Sequence, residues 1–307
     1  MQVVFWLKNC YNFRMEPYIR IIVLISTFFI GAILGSFACC QAWRIRFLEQ
    51  NKKSPGKWSV CLSCGKRLTR AENIPIFSWL FQKGKCRKCG AKIGLSEILS
   101  ELSFALALPA VANVFYDKIS VALSENQVAN LAVLILTALV LIISMTTMWI
   151  LMIYDAKWHT FPTFLLTILN ISAITYVILQ IVGLAFNSAD FSEIGISLLK
   201  TLGAAALLAA PYYLLSTLSK EKLVGSGDWL IALPIALLLG TWWLALVELF
   251  VANALGSLFG IIIKTRSGTR SDNRSNTNQI PFGPFLIIGF VIVYALSPWL
   301  TSLIVMV

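Results

Sequence analysis

The feature that most restricts what this chain can become is its set of long apolar runs. Ile19 to Trp43, Ser96 to Phe115, Val128 to Tyr154, Phe161 to Phe186, Ser197 to Leu218 and Pro284 to Met306 each approach or exceed the roughly 20 residues that carry an α-helix across a bilayer core. A seventh run, Trp229 to Ile263, is interrupted by Gly240, Glu248 and Gly256. A backbone inside lipid must satisfy its own hydrogen bonds, which leaves helices or a closed barrel, and the alternating strands of a barrel are absent. Composition agrees: 58% of residues are hydrophobic and 13% charged, against about 25% charged in a soluble domain. The expected fold is an all-α polytopic membrane protein of about eight transmembrane helices.

Charge sets the expected orientation. Between residues 44 and 95 stand thirteen Lys and Arg against Glu49 and Glu72, whereas the amino-terminal segment carries only Lys8, Arg14 and Arg20. Basic loops stay in the cytoplasm, so the first loop is expected inside and the amino terminus outside. The loop over 264–279 is also basic, rich in Ser, Asn and Thr, and of flexible composition. Placing it inside requires an even number of crossings after Asp228, so 229–263 is expected as two short passes or a re-entrant pair. The net charge of +11 is thereby explained by topology and membrane lipid, with no nucleic acid expected. No cleavable signal peptide is expected, and Met15 is an alternative start to Met1. The expected divisions are an extracytoplasmic extension (1–18), a first helix (19–43), a cytoplasmic loop (44–95) and a membrane domain (96–307).

Within the basic loop, Cys61-x2-Cys64 and Cys86-x2-Cys89 are 21 residues apart. Two such pairs at this separation suit a tetrahedral structural zinc site, and a reducing cytoplasm disfavours the alternative of disulfides. A loop this small buries little, so metal binding would supply much of its folding energy. Cys10, Cys39 and Cys40 lack the spacing and are expected to act as small apolar residues.

Acids next to a membrane span are functional candidates. Asp155 closes the third span, in Tyr154-Asp-Ala-Lys-Trp-His-Thr-Phe-Pro162, and Asp228 opens the block after Gly225-Ser-Gly. The topology puts both at the cytoplasmic ends of their helices, where they can face each other. Two carboxyls in one site titrate as a pair, one activating water while the other polarises a scissile carbonyl. Gly225 and Gly227 are expected to let a peptide substrate come close. The blander alternative is two helix-capping or headgroup-facing acids. The lone His159 has no nucleophile to serve, and Glu101 and Glu248 could each pair with a nearby Lys or Arg and are assigned no catalytic role. A non-catalytic membrane assembly protein and an ion-relaying transporter are the competing functions.

Taken in order, these motifs resemble the prepilin peptidases, the type 4 prepilin leader-peptide processing enzymes. The resemblance is carried by Gly35-Ser36-Phe37 with Arg44, by the cysteine pairs enclosing Asn73-Ile-Pro…Ser78-Trp-Leu80, and by Glu101. It continues through Asp155-x6-Pro162, Gly225-Ser-Gly-Asp228 and Ile280-Pro-Phe-Gly-Pro-Phe285. The chain departs from the family pattern at Cys39, Trp43 and Trp229. The resemblance implies an inner-membrane aspartyl endopeptidase that cuts the basic leader from prepilins or pseudopilins at the cytoplasmic face, with Asp155 and Asp228 catalytic. It further implies that the new amino terminus is methylated from S-adenosylmethionine by the half carrying the cysteine loop. Glu49, Glu72 and the two aspartates are the local acids that a basic leader could meet.

Overall fold

The structure, a computed structural model, describes residues 2–51, 56, 58–125, 127–187, 189–221, 225–266 and 281–305. It is helical, and among the described residues β-structure is confined to two isolated bridges. Two compact units divide at residues 126 and 127.

The first unit holds α1 (Gln2–Asn51), a cysteine-bearing loop with a short α2 (Phe77–Phe81), and α3 (Leu95–Ser124). Two stretches expected as separate or as part of the peptidase half therefore belong here: the amino-terminal extension continues into α1, and α3 joins α1. The two long helices run antiparallel, since Arg20 meets Asn113 and Asp117 while Gly35 meets Ser100. Their seam is built from small residues. A β-carbon on Gly31 would stand 2.5 Å from the Phe104 carbonyl oxygen, and one on Gly35 2.6 Å from that of Ser100. Ala38 and Ala42 continue the buried stripe, and Ser100 Oγ donates to the Gly35 carbonyl at 2.9 Å. Lipid is as apolar as leucine, so such helices associate through close backbone approach and a few polar bonds. The other face of α1, with Ile22, Ile25, Phe29 and Ile33, is exposed as a lipid-facing surface must be.

The second unit contains α4 (Val128–Trp158), α5 (Thr163–Phe186), α6 (Phe191–Leu218), α7 (Ser226–Leu239), α8 (Trp242–Arg266) and α9 (Gly283–Val305). Trp149, Tyr154, Tyr212 and Phe290 fill its interior. Polar bonds cross it: Ser144 to Ser172 at 2.8 Å, Tyr176 to Tyr294 at 2.8 Å, and Asn253 to the Tyr212 hydroxyl at 3.0 Å.

Among the described residues, seven helices are long and apolar enough to cross a membrane. The expected eighth segment is α7. Gly240 adopts a left-handed conformation (φ +71°) and ends α7, its N–H donating to the Ala236 carbonyl at 3.0 Å. Only glycine takes that backbone readily, which is why the 35-residue apolar run becomes two helices. The Gly240 carbonyl, freed by the turn, accepts from Thr201 Oγ1 at 3.2 Å. Trp242 and Trp243 open α8 directly beyond the turn. At 14 residues α7 is about 21 Å long by helical rise, short of the roughly 30 Å core. Most of the basic loop over 264–279 lies outside the described residues.

Candidate active site and cysteine cluster

Asp155 sits in the last turn of α4, where outward carbonyls make a carboxylate unwelcome. It is compensated by a segment distant in sequence: Gly283, the first residue of α9, donates its N–H to Asp155 Oδ2 at 3.0 Å. Asp228 occupies the first turn of α7, and its Oδ2 accepts from the Gly225 N–H at 3.1 Å, half of a capping box whose other half a glycine cannot supply. Each carboxyl is thus held by one N–H at a helix amino terminus, a setting that suits an anion. Both residues are nearly enclosed, 5% and 6% exposed, and they lie close enough for their charges to interact.

Two glycines serve close packing. A β-carbon on Gly283 would stand 2.8 Å from Asp155 Oδ2, and one on Gly227 would run into the Phe161 ring. Gly227 therefore makes room for Phe161, while Gly225 is exposed with open space at its α-carbon beyond Asp228. His159 is exposed and ends α4 in a left-handed conformation.

Glu248 departs from the pairing that the sequence allowed. It is fully buried in α8, and neither carboxyl oxygen has a hydrogen-bond partner. Glu101 differs too: its Oε2 accepts the Ile76 N–H at 2.6 Å. Ile76 is the centre of a γ-turn (φ +64°, ψ −58°) closed by the Phe77 N–H on the Pro75 carbonyl, a strained backbone that the buried Glu101 carboxylate holds in place.

The cysteine loop is the same hairpin built twice, 25 residues apart. In each copy a bridge closes the base (Val60 with Arg67, Lys85 with Lys92) and the first cysteine's N–H bonds across the turn to the carbonyl of Lys66 or Ala91. A glycine with positive φ, Gly65 or Gly90, follows the second cysteine and donates to the first cysteine's carbonyl. The sulphurs of Cys61, Cys64, Cys86 and Cys89 all lie within 4.8 Å of one another, with Cys61 and Cys89 at 3.9 Å. Tetrahedral zinc–thiolate bonds of about 2.3 Å would space sulphurs by about 3.8 Å, so the donor set fits a metal such as zinc.

Backbone N–H groups prepare the thiolates. Those of Cys89 and Lys88 bring the Cys86 thiol down to about 6, and those of Cys64 and Ser63 lower Cys61. Cys89 goes the other way, to about 11: the Ala91 N–H favours its thiolate, but burial and the neighbouring sulphurs outweigh it. Four sulphurs this close cannot all carry charge without a cation among them.

Beside the cluster, Glu72 accepts from Lys66 Nζ at 2.8 Å and from the Thr69 N–H and hydroxyl. The Lys66 bond first, then those from Thr69, pull its carboxyl down to about 2. Glu72 is therefore already engaged within its own loop, as Glu49 is with Arg46 at 3.5 Å.

Comparison with known proteins places the chain. Residues 29–115 match the family described as the bacterial peptidase A24 N-terminal domain, a stretch running from α1 through the cysteine loop into α3. The prepilin leader peptidase/N-methyltransferase of Dichelobacter nodosus is 25% identical over 306 residues, covering 91% of this chain and 92% of the relative. The resemblance to the prepilin peptidases is borne out. The protein of the same description from Aeromonas salmonicida is 28% identical, covering 75% of this chain and 68% of its own length. That of Bacillus subtilis reaches 43% identity over 83 residues, 27% of this chain and 32% of the relative. No solved structure matches the chain.

Sequence reasoning missed the donors. Gly283 acts through a backbone N–H, and Phe161 reads as one more apolar residue at the start of a span. The Gly31-x3-Gly35 spacing was the available signal for the α1–α3 seam.

Proposed function

We propose that this chain is an aspartyl endopeptidase of the bacterial inner membrane that removes the basic leader from prepilins or pseudopilins. The observation that carries the reading is the pair of enclosed, mutually interacting carboxyls, each tied to one helix amino terminus and otherwise unspent. In the reaction one carboxylate of the pair takes a proton from water as the oxygen attacks the scissile carbonyl carbon. The protonated partner donates to the developing oxyanion, and collapse breaks the C–N bond as the amine gains a proton. The excess of Lys and Arg over 44–95 argues for a cytoplasmic active face.

The four cysteines would hold structural zinc, fixing the loop. The names of the relatives add an amino-terminal methylation, for which S-adenosylmethionine is the methyl donor that this reading requires. The first unit matches the A24 amino-terminal family and is the half proposed for that step.

The test is co-expression with candidate prepilins and mass spectrometry of the mature amino terminus, which reads cleavage and methylation together. Asp155→Asn and Asp228→Asn are each expected to reduce cleavage by at least about a hundredfold, with membrane insertion intact. Wild-type processing by either variant would refute the aspartyl mechanism.

A further inference from the structure

We propose that Phe161 is a positioning residue, a single aromatic wedge that sets the separation of the Asp155 and Asp228 carboxyls; this rests on the peptidase reading above. Phe161 lies in the short link between α4 and α5, six residues after Asp155 and directly before Pro162, whose ring restrains the backbone on either side. Its ring lies against the hydrogen face of Gly227, where any β-carbon would collide with Cδ2 and Cε2. At its far end Cζ is 3.1 Å from the place a β-carbon on Gly283 would take.

Those two glycines are neighbours of the chemistry. Gly227 immediately precedes Asp228, and Gly283 gives the N–H that holds Asp155. One rigid ring therefore spans the segment carrying one carboxyl and the segment holding the other. Phe161 has no group that could move a proton, so its effect on the reaction is geometric. The spacing it sets governs how strongly the two carboxyls couple and whether both reach one water, and misplacement of reacting groups by about 1 Å can cost roughly a hundredfold in rate.

The experiment uses the full chain, purified in detergent, and a prepilin it cleaves. Phe161→Ala is expected to lower kcat at least about tenfold, leave KM within about twofold, and alter the width of the pH profile of kcat, which simple loss of folded protein would not do. Gly227→Ala is expected to be severely impaired alone, yet to cost nothing further in the Phe161→Ala background, because the ring it strikes is gone. Gly283→Ala, whose methyl would also strike Asp155 Oδ2, is expected to stay impaired in both backgrounds.

Unchanged kcat and pH profile in Phe161→Ala, or an equal cost of Gly227→Ala with and without the ring, overturns the proposal. Should Phe161→Ala not accumulate, Phe161→Leu carries the same arms with a smaller loss, roughly threefold, as expected for a partial wedge. A wild-type chain that cuts no prepilin defeats the peptidase reading instead. The wedge is then read from melting temperatures of the same four chains, where additive losses for Gly227→Ala and Phe161→Ala overturn it and non-additive losses support it.

Discussion

Replacing Gly35 by alanine tests the seam of the first unit with one methyl group. The added β-carbon would lie 2.6 Å from the Ser100 carbonyl oxygen and 2.8 Å from the Glu101 α-carbon. Carbon–oxygen contacts between packed helices sit at about 3.3–3.6 Å, so α1 and α3 must separate by roughly 0.7 Å. Both atoms struck are backbone, and no side chain can swing away. Overpacking of this kind costs about 1–3 kcal/mol. Stretching the Ser100-to-Gly35 hydrogen bond adds about 0.6 kcal/mol, a typical value between membrane helices. Alanine's better helix propensity returns about 0.8–1 kcal/mol. The net loss is about 0.6–2.8 kcal/mol, equivalent to roughly 3- to 110-fold faster opening. Hydrogen exchange followed by mass spectrometry should show that acceleration in peptides from α1 and α3, with those from α4 to α9 unchanged. Gly195→Ala is the control: it lies in α6 with nothing within 4 Å of the added carbon, and is expected to be neutral or slightly stabilising. Exchange in α1 and α3 that is equally slow in Gly35→Ala and wild type would refute the close-approach account of this helix pair.

Three further outcomes follow from the structure. The Glu72 carboxyl lies at about 2, below its ordinary 4.5, so its contribution is complete above 4.5 and lost as pH falls towards 2; at neutral pH, where that contribution is whole, Glu72→Gln should make the cysteine loop more sensitive to limited proteolysis than wild type, and equal sensitivity would contradict the Lys66 and Thr69 bonds. Cys86→Ser or Cys61→Ser should abolish stoichiometric zinc in the purified protein and leave the loop protease-sensitive, and a metal analysis finding no zinc in wild type would sink the metal assignment. Tyr176→Phe should cost about 1 kcal/mol by stranding the Tyr294 hydroxyl, whereas Tyr176→Phe with Tyr294→Phe together should cost no more than either alone; additive losses would contradict a shared bond.

Much of the architecture was legible because lipid allows so few solutions. A run such as Val128 to Tyr154 has no option but to be a helix, and the structure extends it only to Trp158. The cysteines were equally legible, since their spacing states the geometry of the metal they suit. Legibility fails where backbone acts for side chain. The Gly283 N–H that holds Asp155 is 128 residues away in sequence, and any residue but proline could offer it. What makes Gly283 special is the missing β-carbon beside Oδ2, a fact of packing that only coordinates display. Glu248 shows the opposite failure: an acid conspicuous in sequence, open to pairing with a cation, stands in the structure without a hydrogen-bond partner. The Glu101 carboxylate could likewise have met a side-chain cation and instead braces the turn at Ile76.

The shortness of α7 has a consequence for how Asp228 is supported. A helix of about 21 Å sits among helices of 23 to 28 residues, and none of its residues after Ser226 is exposed. Its surface is therefore covered mainly by protein rather than by acyl chains. Asp228 stands on a short post set inside longer ones, and its height is fixed by side-chain packing rather than by the thickness of the bilayer.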